Sequence, residues 1–193
     1  MIFWLVAAPA VAASPQPEET LFLAGQLLVA SPDIDDPRFS RAVIYMVHHN
    51  TTGAFGLIVN KAIGSGPLRE FLKGFEIDPT GVEGTISLYY GGPVSPGAGF
   101  VLHSADYTGP GTHVVDKDFA MTTEMSILRA IAEGRGPRNS LFSFGYSGWG
   151  PGQLEFEVER GDWLYAPADE ALVFGADQKT KWRRANDKAG LKL

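Results

Sequence analysis

The chain contains no cysteine. Disulfides, thiolate catalysis and cysteine-ligated zinc or iron–sulfur sites are therefore excluded, while the redox compartment stays open, because a chain without thiols is at home in either environment. Positive charge is also short: 16 Lys and Arg stand against 22 Asp and Glu, for a net charge of −6 and a pI near 5.2. Neutralising the phosphates of duplex DNA requires a clustered surplus of cations, so this balance argues against a duplex-DNA partner. Histidine is scarce, with 4 in the chain, and none of them falls in a short metal-ligand motif, so no metal or other cofactor is expected. Long apolar runs are missing too. The most apolar stretch, Met1 to Ala13, is too short to serve as a bilayer-spanning anchor.

What is present suits one folded domain. A hydrophobic content of 45% with 11% aromatics over 193 residues is enough to bury a core, and no internal repeat or low-complexity tract divides the chain. Met1 to Ala13 resembles a secretory signal ending at Ala10-Val11-Ala12 or Val11-Ala12-Ala13, although no Lys or Arg precedes its apolar run. Residues 1–19 are read as this signal-like segment and its polar linker, and residues 20–193 as the domain. Cleavage would place the protein in the periplasm; otherwise it is cytoplasmic.

Taken in order, 21–30 reads as a buried strand closed by Ser31-Pro32, and Asp33-Ile34-Asp35-Asp36-Pro37 as a turn lacking the spacing of a calcium loop. Ala42 to His48 and Ala54 to Asn60 form a hairpin around Thr51-Thr52-Gly53, in which Gly53 and Gly56 mark a bulge or a close backbone approach. His48 and His49, adjacent on a strand, point to opposite faces and cannot easily share one metal. Leu68, Phe71 and Leu72 fall at helical spacing before Gly74; Thr85 to Tyr90, Gly99 to His103 and His113 to Val115 read as strands, and Met121 to Gly134 as a helix. Asp162 to Pro167 is extended, Ala168 to Phe174 is a short helix, and Lys179 to Arg184 opens a basic last helix whose charges face solvent. Short strands, glycine turns and a few helices make an α+β single domain.

The most unusual stretch follows the apolar strand Leu141 to Phe144. Gly145-Tyr146-Ser147-Gly148-Trp149-Gly150-Pro151-Gly152-Gln153-Leu154-Glu155 reads as a glycine-shaped turn entering a helix, with Gly150 as cap, Pro151 at the first helical position and the Gln153 amide reaching back to the cap N–H. Beyond it Leu154, Phe156 and Val158 alternate with glutamates, a strand period, yet the Gly-Pro-Gly-Gln start favours helix.

This stretch resembles the signature of the YqgE/AlgH family, a bacterial family without an established activity, one branch of which carries the label of transcriptional regulator. Gly25 to Pro32, Gly53 to Asn60, and Gly91-Gly92-Pro93-Val94 with Phe100 to His103 match it as well, so the resemblance spans Leu21 to about Leu191. It implies a strongly bent mixed sheet, close to a partial barrel, flanked by a few helices. It departs from the family at Ala62, where a Pro is usual. His49 and Asn50 match family positions, whereas His48 does not.

Ser147 is not expected to be a hydrolase nucleophile, since Trp149 stands where the last Gly of a G-x-S-x-G elbow is needed and the family usually has Ala at position 147. The expected function is therefore a non-enzymatic ligand- or partner-binding, regulatory protein, with a transcriptional regulator and a hydrolase using pocket histidines as alternatives. One pocket is expected to combine the 145–153 stretch, through Gly145, Tyr146, Trp149, Gly150 and Gln153, with His49, Asn60, His103 and the Gly91-Gly92 turn. Its occupant would be a small ligand or a protein partner.

Overall fold

The computed structural model describes residues 22–190; the signal-like segment, its linker and the domain start at residue 20 lie outside them. Among the described residues the elements are β1 (Gln26–Ala30), β2 (Val43–Asn50), β3 (Gly53–Ile58), β4 (Ala62–Pro67), α1 (Leu68–Lys73), β5 (Thr85–Tyr90), β6 (Val94–Ser104), β7 (Thr112–Val114), β8 (Phe119–Thr122), α2 (Ser126–Ala132), β9 (Ser140–Trp149), α3 (Gln153–Glu159), β10 (Trp163–Pro167), α4 (Glu170–Val173) and α5 (Gln178–Gly190). The sheet runs β10-β1-β2-β3-β9-β6-β8-β7, with β5 joining β9 in parallel and carrying β4 on its other side. It curls into a half-barrel, giving the α+β single domain with a bent mixed sheet. No described helix is long and apolar enough to cross a membrane.

One face of this sheet carries a continuous core from both of its halves: Leu27, Val29, Tyr45, Leu57, Leu102, Phe119 and Leu141, closed by Leu172 and Val173 of α4 and Ala185 of α5. The opposite face carries two separate layers. One joins Leu28, Ile44, Met46, Ala54 and Trp149 to Leu154 of α3 and to Trp163; the other joins Val101 and Phe142 to Leu72 of α1 and to Ile127 and Leu128 of α2.

Two local irregularities make this arrangement possible. Strand residues alternate faces with period two, so Phe142 and Trp149, of opposite parity, should face opposite ways. Gly145 takes φ +69°, the pairing of β6 with β9 slips there between Val94 and Gly99, and the alternation restarts with Tyr146 on the inner face. A second slip between Met46 and His48 puts His49 on the outer face along with Met46. The extra residue on β2 is a β-bulge, while at Gly145 the surplus residues lie on β6; each break re-aims the side chains beyond it.

The sequence-derived boundaries need several corrections, among them β6, which starts at Val94 rather than Gly99. The glycine stretch is strand, not turn, as far as Trp149: β9 runs through Gly145 and Gly148 because neighbouring backbones press against it, and only Gly150 to Gly152 turn the chain. The helix accordingly starts at Gln153 behind a left-handed Gly152 (φ +72°), although the anticipated reach of the Gln153 amide to Gly150 N–H is made, at 3.0 Å. The expected 121–134 helix divides, since Met121 and Thr122 pair with Leu102 and Val101 in β8 and the helix is confined to Ser126–Ala132. Finally, β4 occupies a segment read as having no element, and β1 begins at Gln26 rather than Leu21. The hairpin of β2 and β3, α1, β5 and the helical choice at 153–159 stand as read.

Candidate functional site

The residues expected to form one pocket fall in four places. His49 and Trp149 lie on the outer face in one register row, each opposite Ala54 of β3, and both meet α3. Leu23 N–H donates to His49 Nδ1 at 3.0 Å, so the ring proton sits on Nε2 and is donated to Glu155 Oε1 at 3.2 Å. Trp149 and Trp163, edge to face at 5.9 Å, both donate their indole N–H to Glu157 Oε2 at 2.8 Å, while Gln153 Nε2 donates to Glu157 Oε1 at 2.9 Å. These bonds make a mutually satisfied lock between α3 and the sheet, to which Gly150 and Gln153 belong, with a polar cleft at its edge among Asp36, Phe39, Glu157, Arg160 and Trp163.

Gly91 and Gly92 meet Gly145 and Tyr146 at a backbone crossing. Gly91 N–H donates to Phe144 O at 2.8 Å, a Cβ on Gly91 would lie 2.2 Å from Gly145 O, and one on Gly92 (φ +151°) would lie 2.2–2.4 Å from the Tyr146 and Ser147 backbone. Glycine is required here by contact. The Ser147 hydroxyl donates to Gly91 O at 3.3 Å, which gives this fully buried serine a packing role.

Asn60 stands apart as a brace at the start of β2, accepting from Val43 N–H at 2.9 Å and donating to Arg41 O at 2.8 Å. His103 is also remote: it pairs with Ser140 at the opening of β9, whereas Trp149 closes that strand. It is not beside the Gly91-Gly92 turn, because that turn joins β5 to the far end of β6. The Ser104 carbonyl, 2.9 Å from Nδ1, can only accept, so Nδ1 carries the proton and Nε2 accepts from the Thr122 hydroxyl at 2.9 Å. Thr122 then accepts from Thr112 at 2.7 Å, and Thr112 accepts from Gly109 N–H at 3.1 Å. Burial lowers the His103 pKa. Both ring nitrogens of His49 and of His103 are thus engaged, which leaves neither imidazole a free position for a base or a metal.

Tyr146, stacked on Phe55 at 4.7 Å, lines a shallow hollow at the β2–β3 turn and the end of β9 with His48, Val94, Gly148, Trp149 and Gly150. A more sheltered, far more apolar cavity of about 160 Å³ lies on the outer face between α1, α2, β6 and β9. Phe71, Phe75, Phe142, Phe144, Ile127 and Leu128 wall it. Its space exists because β6 carries two glycines there: a Cβ on Gly97 would have no neighbour within 4 Å, and one on Gly99 would meet only Phe144 Cε1 at 3.9 Å. Sequence reading missed this cavity. The signal was available in the pairing of a glycine-poor-contact strand with the aromatic Phe142-x-Phe144 alternation, but only the register Gly99↔Phe144 brings the two together.

Lys181 was also misread as solvated. It is 1% exposed and donates to Val59 O at 2.9 Å and Val173 O at 2.7 Å, tying α5 to the end of α4 and to the chain beyond β3. Burial, reinforced by Arg184, lowers its pKa to about 8. Its i,i+4 relation to buried Ala185 places it on the helix stripe that faces the core.

The model of the AlgH-like family matches residues 27–193. A UPF0301 protein of Methylococcus capsulatus is 48% identical over 92% of this chain and 97% of its own length, and one of Afipia carboxidovorans is 43% identical over 90% and 87%. The solution structure of the AlgH protein from Pseudomonas aeruginosa superposes with TM-score 0.73 at 35% identity, covering 95% of both chains; the crystal structure of protein DIP2367 from Corynebacterium diphtheriae, at 21% identity, TM-score 0.66 and 83% coverage of both chains, shares the fold. The chain belongs to the AlgH-like family.

Proposed function

We propose that this protein is a non-enzymatic, regulatory binding protein that holds a small apolar ligand in the cavity between α1, α2 and the sheet. The observation that carries this reading is the cavity itself. An aromatic-walled space of about 160 Å³ is comparable with apolar cavities that stay dry and accept a single benzene-sized molecule, and pockets of this composition are where small ligands bind. The engagement of His49 and His103 supports a binding role over hydrolysis. The net charge of −6 favours regulation through a ligand or protein partner over direct contact with duplex DNA.

Benzene titration tests the reading. The melting temperature should rise with benzene concentration as binding to the folded state dictates, and amide shifts should cluster at 71–75, 97–101, 122–128 and 142–144. Gly99→Leu, which extends a side chain toward Phe144, should remove both responses while the chain stays folded. Absence of any response, or shifts centred on the Tyr146 and Trp149 hollow, would overturn it.

A further inference from the structure

Resting on that reading, we propose that the cavity selects a small organic cation: an apolar body of about one ring seated among the phenylalanines, with an ammonium group held at Glu124. Glu124 is the one side chain lining the cavity that carries a formal charge. Its position is built into the fold, because Gly111 adopts φ +70° and leaves the room that the Glu124 stem fills; a Cβ there would lie 2.2 Å from Glu124 Cγ. None of the ion pairs among the described residues uses this carboxylate.

The surroundings favour the same ligand charge. Phe75 and Met125 are 37% and 41% exposed and line the cavity with Glu124, which is exposed as well, so the lining includes at its solvent side both an aromatic ring and a carboxylate, the two kinds of group that attract organic cations. The other polar side chains of the lining are neutral: the Thr122 hydroxyl is committed to His103 and Thr112, and Thr123 and Ser143 carry no charge. An anionic ligand would meet only repulsion at Glu124, and a neutral one could gain no more than a single hydrogen bond from it, without the ion pair. The cavity volume limits the apolar body to about a benzene ring.

Benzylamine and benzyl alcohol, equal in size and different in charge, test the inference at pH 7 by calorimetry or amide shifts. Benzylamine should bind about fivefold tighter than benzyl alcohol, the preference expected of one partly solvated ion pair. In Glu124→Gln the preference should fall below twofold, with the alcohol's affinity unchanged, and Gly99→Leu should abolish binding of both. Equal binding of the two probes to the unaltered chain, or a preference that survives Glu124→Gln, overturns the cationic selectivity and leaves the cavity reading standing. Failure of both probes to bind overturns the two readings together.

Discussion

The two apolar layers on the outer face of the sheet share one strand, β9, and differ in everything else. Under α3, aromatic side chains are pinned by polar ties: Glu157 receives Trp149, Trp163 and Gln153, and His49 bridges Leu23 to Glu155. Under α1 and α2, Phe71, Phe142 and Phe144 border open space. The glycines show the difference most directly. Added Cβ atoms on Gly53, Gly91 and Gly92 would run into backbone at 2.4 Å or less, whereas those on Gly97 and Gly99 meet nothing or one ring edge. A glycine-rich, aromatic stretch therefore marks close packing in one layer and room for a guest in the other.

The contrast is broken most severely by Gly92→Ala. Its φ of +151° and the backbone of Tyr146 and Ser147 at 2.2–2.4 Å leave no accommodating side chain to move, so we expect a loss of more than about 4 kcal/mol, read by urea denaturation; a variant within about 1 kcal/mol of the unaltered chain would show that the crossing can relax. Trp149→Ala should cost about 3–5 kcal/mol through the deleted indole and its lost bond to Glu157, without shifting the benzene response of the other layer.

A smaller effect concerns Lys181. With a folded pKa of about 8 against roughly 10.4 unfolded, the unfolded chain binds more protons between these values, so stability should rise with pH by about 1.5 kcal/mol from pH 8 to 9.5. Burial and Asp116 raise the Tyr45 pKa, a contribution present below pH 10 and lost above it, which sets the upper end of the useful window. Lys181→Met should flatten the rise; an unchanged slope in that variant would assign it to other groups. Smallest is Gln153→Ala, expected to cost up to roughly 1 kcal/mol as Gly150 N–H loses its acceptor, measured as a shift in denaturation midpoint.

Much of the fold was legible in the sequence because it is local. The β2–β3 hairpin follows from two apolar runs around Thr52-Gly53, and α3 from Gly150 to Gln153 despite a strand-like period. What was hidden is set by tertiary neighbours. Gly145 reads as the beginning of a turn until Gly91 and Gly92 are seen pressing on it; then it is a break inside a strand. That break puts Phe142 and Trp149 on one face, a parity no alternation rule supplies. Thr122 fits a helical window yet is claimed by β6 and His103. For the candidate residues, Trp149, Gly150 and Gln153 lie next to α3 in the chain, whereas His49, Asn60 and His103 were drawn in by the family pattern; the structure brings His49 to α3 and leaves His103 and Asn60 elsewhere. The cavity depends on Gly99 facing Phe144, with Gly97 open beside it, across a register that the sequence does not display.

The central claim is that the α1/α2 layer is open to an apolar guest and that the Trp149–Trp163 contact of the α3 layer is closed. Crystallography under xenon pressure measures this directly, since xenon enters apolar cavities without needing a chemical handle. The account predicts a xenon peak among Phe71, Phe142 and Phe144, absent in Gly99→Leu, and none between Trp149 and Trp163. Xenon density in the tryptophan layer, or an empty cavity at saturating pressure, would contradict it.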